Sequence, residues 1–303
     1  MNNQVFKHKK TILITGGTGY LGSNIARAIC DDYQVIILKR SFSPTRRIEQ
    51  IMHKIEFFNI DETNLKNVFS QKKIDVVLHC ATHYGRMSKD PLEIVEANLV
   101  LPLSLLNLAK VNAVPCFINT DTVLDKRISA YSLSKNQFSD WLRILATDII
   151  CVNMELEHFY GPLDDSSKFV THLIHSILKG ESEIRLTKGE QKRYFIHIDD
   201  VVNAFRLIIE KSCTFDKGLY NFQVGSLRSI SIRAFSEMIK QLTGNVSTYL
   251  NFGAIPYRNR ETMDPGLDVR PLMDLGWHID ISLKKGLRRT IAAEKERLCL
   301  QNI

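Results

Sequence analysis

Short apolar runs and longer amphipathic stretches alternate through the first half of the chain. "TILIT", "QVIIL", "KIEFF", "DVVLHC", "CFINT" and "IICVNMEL" are five to eight residues long and mostly aliphatic, as buried strands are. Between most of them lie helical patterns, over 20–30, 62–71, 92–111 and 131–146. Asp90 followed by Pro91 reads as a cap and a first helical turn. Strands alternating with helices predict βαβ units and a parallel, doubly wound sheet, an α/β fold.

After "FYGP" (159–162) the rhythm changes to longer helices, a short strand around "EIRL", an isolated strand "LYNFQVG" and a closing helix near 282–298. We therefore expect a dinucleotide-binding (Rossmann) domain over 1–156 and a smaller α/β substrate-binding domain over 157–303. The strand near 218–225 is placed to return to the first sheet.

Composition narrows the partners. The net charge of +7 invites a nucleic-acid reading, but the cations are dispersed apart from "KRSFSPTRR" and "KKGLRR". A basic protein handling anionic small molecules is the better account, with no nucleic-acid partner. Six cysteines lack any C-x-x-C spacing, and Cys80, Cys116 and Cys151 sit in strand-like runs as buried free thiols. The one H-x-x-H pair, His172 and His175, has no companion ligands, so no metal is expected. The N-terminal "MNNQVFKHKK" is polar and basic, and no later segment reads as long enough to span a membrane. A cytoplasmic protein without a membrane partner is expected.

"TILITGGTGYLGSN" carries the first chemistry. Gly16, Gly19 and Gly22 follow a strand and open a helix, the context in which glycines let backbone approach a pyrophosphate at a helix N-terminus. A NAD site has an acid at the end of the second strand to bond the ribose hydroxyls. Here Lys39 and Arg40 stand there, suited to pairing with a 2′-phosphate; two solvated cations are the plain alternative. NADPH (NADP+) is the expected cofactor.

Tyr131 and Lys135 in "AYSLSK" share a helix face. A free tyrosine has a pKa of about 10, and a nearby ammonium lowers it toward neutrality, making a usable acid or base. The pair follows the fifth strand, which ends "INTDT".

These motifs in this order resemble the extended short-chain dehydrogenase/reductase family of sugar-nucleotide epimerases, dehydratases and reductases. The likeness extends through "HCA" (79–81), "FYGP", "KRYFIHIDDVV" (192–202) and "GLDVRPLMDLGW" (266–277). It implies that Thr120, Tyr131 and Lys135 are catalytic: Thr120 bonds the reacting oxygen, Tyr131 exchanges the proton, and Lys135 also holds the nicotinamide ribose. It also implies that Tyr20, Leu21, Asn59, Ile60, Cys80, Ala81 and Asn98 join the glycines, Lys39 and Arg40 around the cofactor. Arg193 and Arg258 resemble clamps on a substrate diphosphate, with surface ion-pair partners as the plain alternative; His83, Asp121, Thr122, Glu261 and His158, which could also simply pack, are further substrate-binding candidates.

Departures from the family pattern select a branch. The 4,6-dehydratases carry Thr-Asp-Glu where this chain has Thr120-Asp121-Thr122, so the base for the C5 proton is missing. "ELEHFYGP" replaces the usual "R-x-x-N-V-Y-G-P". With "HYGR" (83–86) and "FGAIPYRNRE" (252–261), this resembles the sugar-nucleotide 4-ketoreductases of the CDP-abequose and CDP-paratose synthase kind, which finish deoxysugars such as those of surface O-antigen. The expected activity is NADPH-dependent reduction of the C4 ketone of a nucleotide-linked 4-keto-6-deoxy or 3,6-dideoxy hexose. The rivals are a 4-epimerase with tightly held NAD, and a non-catalytic NADP sensor. The resemblance further implies a homodimer through the helices at 92–111 and 131–146, with Leu103, Leu106, Trp141 and Leu145 as candidate surface residues.

Overall fold

The computed structural model describes residues 9–86 and 90–301; most of the basic N-terminal stretch, residues 1–8, lies outside the described residues. The apolar runs form β1 (Thr11–Thr15), β2 (Gln34–Lys39), β3 (Ile55–Asn59), β4 (Val76–His79), β5 (Cys116–Thr122) and β6 (Ile150–Leu156). Helices α1 (Tyr20–Ile29), α2 (Leu65–Gln71), α3 (Pro91–Val95), α4 (Leu101–Val111) and α5 (Ala130–Leu145) lie between them. Then come β7 (Phe159–Tyr160), α6 (Phe169–Leu178), β8 (Glu183–Leu186), β9 (Lys192–Arg193), β10 (Ile196–His197) and α7 (Ile198–Lys211). The chain ends with β11 (Gly218–Val224), β12 (Ile230–Ser231), α8 (Ile232–Thr243), β13 (Tyr249–Phe252), α9 (Arg270–Asp274) and α10 (Leu283–Gln301).

The seven-stranded parallel sheet has the order β11-β6-β5-β4-β1-β2-β3, so "LYNFQVG" does join the main sheet, at its edge. The order reverses beside β1, which pairs with β2 on one side and β4 on the other. Ligands of doubly wound sheets bind outside the strand ends at such a reversal.

Contacts divide the chain into two compact units: Met1–Asp121, Leu133–Met154 and Phe205–Asn221 in the first, Thr122–Ser132, Glu155–Ala204 and Phe222–Ile303 in the second. In the first, Leu13, Val77, Phe117 and Cys151 of the sheet form one buried cluster with Leu105, Leu106, Phe138 and Leu142 of α4 and α5. In the second, α6, α8 and α10 pack together, and Phe195 stacks on Phe235 with ring centroids 3.7 Å apart. The motifs around "IDDVV" and "LGW" have a structural use there. The buried Asp200 carboxylate accepts from Asp280 N and Ile281 N, and Trp277 Nε1 donates to Asp200 O.

Residues 91–111 correct the reading that no segment is long enough to span a membrane. Asp90 caps Leu92 N as anticipated, but α3, a π-turn over Glu96–Val100 and α4 run on as one helix of 21 residues. With mean hydropathy 1.5 over its most apolar stretch, it is long and apolar enough to cross a membrane by length and composition. Its packing is that of a helix laid against a core, since Ile94, Leu105, Leu106 and Ala109 are buried. Leu106 is correspondingly lost as a surface candidate, and Leu103 and Leu145 are partly covered by the same cluster. Trp141 remains exposed, together with Val100, Leu133 and Ile144.

Candidate active site

β1 and β4 end side by side at the sheet reversal, and Gly16 follows β1. Gly16 has φ +66°, and a Cβ there would lie 2.6 Å from Ala81 N. Only glycine combines that left-handed turn with that approach. Gly22 packs on it, since a Cβ at Gly22 would lie 2.4 Å from Gly16 O. Gly19 then caps α1, whose first turn has no acid and whose cap uses no side chain. The positive end of the helix is left for an anion. Tyr20 and Leu21 sit half-buried at the mouth of this turn.

The two strand ends are tied together. Thr15 Oγ1 accepts from Ala81 N at 3.2 Å and lies 2.8 Å from His79 Nδ1. The two side chains share one hydrogen bond, its direction set by the His79 tautomer. Burial, then the Lys135 charge, pushes the His79 pKa well below its ordinary value, so the ring is neutral. Burial also pushes the Cys80 thiol up to about 12, which keeps it inert. Asn98, on the π-turn, accepts from His83 N at 2.8 Å and Thr82 Oγ1 at 3.1 Å, and donates to His83 O at 2.9 Å and Ser134 Oγ at 3.0 Å. It holds the loop after β4 to α5. His83, half-buried, accepts at Nδ1 from Gly85 N and has Nε2 3.7 Å from Glu93.

At the end of β2, Lys39 Nζ turns back onto the Arg40 and Ser41 carbonyls, both at 3.3 Å. Arg40 is exposed and lies over the Phe42 ring. Asp61 closes this loop by accepting from Ser41 N at 2.8 Å and Ser41 Oγ at 2.6 Å. Ile60 N donates to Lys39 O, and Asn59 Nδ2 to Glu62.

α5 opens with a reciprocal cap. Ser132 N donates to Ser129 Oγ, and Ser129 N donates to Ser132 Oγ, which fixes where Tyr131 and Lys135 fall on the helix. Tyr131 is half-buried. Lys135 is 1% exposed, and among the described residues its Nζ has no hydrogen-bond partner. Burial lowers its pKa, partly offset by Asp121 and Cys80. On β5, Thr120 Oγ1 donates to His79 O at 3.0 Å, Asp121 accepts from Asn153 Nδ2 at 3.0 Å, and Thr122 Oγ1 accepts from Leu124 N at 3.3 Å.

In the second unit, His158 Nδ1 lies 2.6 Å from the buried carboxylate of Glu157, which also accepts from His158 N. The buried Arg193 is paired with Glu261 and donates to Thr262 O at 2.7 Å. Glu261 also accepts from Arg258 Nε at 3.0 Å, and Arg258 is largely exposed. One carboxylate thus holds both candidate clamps. His175 Nε2 is bonded to the buried Glu294 at 2.6 Å, which is where that half of the H-x-x-H pair is used.

The residues missed in the sequence are the polar ones at inward strand positions. Asn119 Nδ2 donates to Asn153 Oδ1 at 2.7 Å, and Asn153 Nδ2 reaches Ser139 and Asn221 as well as Asp121. Asparagine inside the apolar runs "CFINT" and "IICVNMEL" was the available signal.

A doubly wound sheet, a glycine turn at its reversal and a Tyr-x-x-x-Lys helix define a nicotinamide-dependent class of folds, and comparison with known proteins agrees. The chain belongs to the NAD dependent epimerase/dehydratase family, whose profile matches residues 12–225. It is 31% identical to CDP-abequose synthase of Salmonella muenchen over 296 residues, covering 94% of this chain and 98% of that protein. It is 25% identical to the CDP-abequose synthase of Yersinia pseudotuberculosis over 86% of this chain and 93% of that protein. Among solved structures, UDP-glucose 4-epimerase of Thermotoga maritima with UDP-glucose superposes with TM-score 0.83 at 23% identity, covering 95% of this chain and 99% of that one. UDP-glucuronic acid 4-epimerase from Bacillus cereus, in complex with UDP-glucuronic acid and NAD, gives 0.81 at 23% over 95% and 99%.

Proposed function

We propose that this protein is an NADPH-dependent reductase of a nucleotide-linked 4-keto-6-deoxy or 3,6-dideoxy hexose, working in the cytoplasm as a homodimer. The observation that carries the reading is Lys135, a buried ammonium with no hydrogen-bond partner among the described residues, on the helix that carries Tyr131. Such a group is costly unless a ligand completes it, and a ribose hydroxyl fits. The glycine cradle, closed to any Cβ at Gly16 and Gly22, fits a pyrophosphate. Gly16, Gly19, Gly22, Lys135 and Arg40 would hold NADPH, with Tyr20, Leu21, Asn59, Ile60, Cys80 and Ala81 around it. When bound, NADPH supplies the hydride.

Reduction of a ketone consumes one hydride and one proton. Tyr131 gives the proton to the oxygen on C4 and recovers one from solvent; Lys135 stabilises the phenolate in between. Thr120 must release His79 O to donate to the ketone oxygen, where its hydroxyl favours the developing negative charge. Arg193 and Arg258, both tied to Glu261, are the proposed partners of the diphosphate, and His158, held by Glu157, is the proposed hexose contact. Thr122 cannot remove the C5 proton, so dehydration is not expected. The likeness to CDP-abequose synthases supports a CDP-linked substrate. An assay panel of CDP- and dTDP-4-keto sugars, followed by NADPH loss with products resolved by NMR, tests the reading. No oxidation with any member would overturn it.

A second reading, a 4-epimerase retaining NAD, draws support from Asp61, which brings a carboxylate to the loop after β2. That carboxylate is exposed but already engaged by Ser41 N and Oγ, whereas the exposed Arg40 guanidinium lies over the Phe42 ring.

A further inference from the structure

The proposed chemistry needs Lys135 charged, yet burial opposes that charge. Among the described residues, the titratable groups whose fields couple to it from the sheet are His79 and Cys80 at β4 and Asp121 on β5; Tyr131 precedes it by one turn on α5. Burial keeps His79 neutral, with Nδ1 engaged by Thr15 Oγ1, and the Cys80 thiol keeps its proton. Asp121 alone of the three sheet groups can supply a countercharge.

Its position is built by a buried amide. Asn153, fully buried, donates to Asp121 Oδ2 at 3.0 Å and reaches Ser139 Oγ at 3.3 Å. Ser139 follows Lys135 by one helical turn on the same face of α5, a rise of about 6 Å. A single side chain therefore touches both the carboxylate and the helix face that carries the ammonium. Asn153 is itself fixed by Asn119 Nδ2 at 2.7 Å. Asn119 and Asp121 point to one side of β5 by strand alternation, and His79, the register partner of Asn119, packs edge-on against Phe138 of α5.

We propose that Asp121, aimed by Asn153, is a positioning residue: the countercharge that holds the Lys135 ammonium and keeps the Tyr131–Lys135 pair loaded with its proton. A negative charge beside the pair makes proton loss from either member harder. The pair then rests in the form that a reduction consumes, and the phenolate that an oxidation needs is disfavoured. That directional consequence rests on the reductase reading; the countercharge itself does not.

Asp121→Asn removes the charge and keeps the shape. The alkaline limb of the kcat profile for NADPH oxidation should move to lower pH by about one unit or more. Asp121→Glu should restore it, and Asn153→Ala should move it the same way by less. In the unliganded protein, the Tyr131 phenolate, read as the ultraviolet difference from a matched Tyr131→Phe variant, should also form at lower pH. Should Asp121→Asn not fold, Asn153→Ala carries the same test. A lower rate with an unmoved limb and an unmoved phenolate titration would sink the countercharge role and leave the reductase standing. A shifted phenolate titration in a protein that oxidises no NADPH with any 4-keto sugar nucleotide would uphold the countercharge and sink the reductase.

Discussion

Replacing Gly16 by alanine tests the cofactor cradle with a cost that can be worked from its geometry. The new Cβ would stand 2.6 Å from Ala81 N and 2.7 Å from Ala81 Cα, against backbone that cannot rotate away. The residue would also have to hold φ +66°, which costs an L side chain about 1–2 kcal/mol. Relieving an overlap of this kind adds roughly 1–3 kcal/mol. The turn escapes by relaxing in the free protein, and a bound dinucleotide must then restore it. The sum, about 2–5 kcal/mol, weakens binding by about 30-fold at the low end. Gly244→Ala is the control. It has φ +72° and no atom within 4 Å of a built Cβ, so it carries the backbone penalty alone. It should lower the thermal midpoint by a few degrees, for about 1 kcal/mol, with NADPH affinity unchanged. Fluorescence titration of NADPH and thermal unfolding of both variants are the assays. Binding by Gly16→Ala within about threefold of wild type would show that this turn does not hold the pyrophosphate.

Three further outcomes follow from named side chains. Replacing Lys39 with Asp and Arg40 with Ser should erase or reverse the preference of kcat/KM for NADPH over NADH, with Arg40 carrying more of it because Lys39 is spent on its own loop; a wild type indifferent between the two cofactors would contradict this. Tyr131→Phe should lose most of kcat with little change in NADPH affinity, whereas Lys135→Met should damage both, as steady-state kinetics and titration would separate. Trp141→Glu with Ile144→Glu should give a monomer by light scattering at micromolar concentration, because these exposed residues of α5 are the proposed dimer surface; a monomeric wild type would refute it.

The sheet was legible because its strands are short, nearly continuous apolar runs, and each kept the position its pattern predicted. The pairs β7–β10 and β9–β12 were not, since each strand has two residues and exists only through a partner far along the chain. Helix 91–111 was read correctly in extent but not in consequence. Its apolar face is wider than one packing stripe, so the pattern could not say that Leu106 turns inward while Val100 turns out. Tyr131 and Lys135 were visible because four-residue spacing is local. The tie of Asp121 to Asn153, and the sharing of Glu261 by Arg193 and Arg258, depend on chain returns that no local pattern encodes. The Asp61 contact with Ser41 is of the same kind: it joins the loops after β3 and β2.

Redox balance is the most direct test of the central claim. A reductase consumes one cofactor for each product, whereas an epimerase or dehydratase regenerates its nicotinamide within the site. Purified protein should oxidise NADPH in step with loss of a nucleotide-linked 4-keto-6-deoxy or 3,6-dideoxy sugar, one for one by absorbance and product NMR, and leave UDP-glucose untouched. Turnover of a sugar nucleotide with no net loss of NADPH, above all with NAD released on denaturing the purified protein, would contradict the account and establish the epimerase.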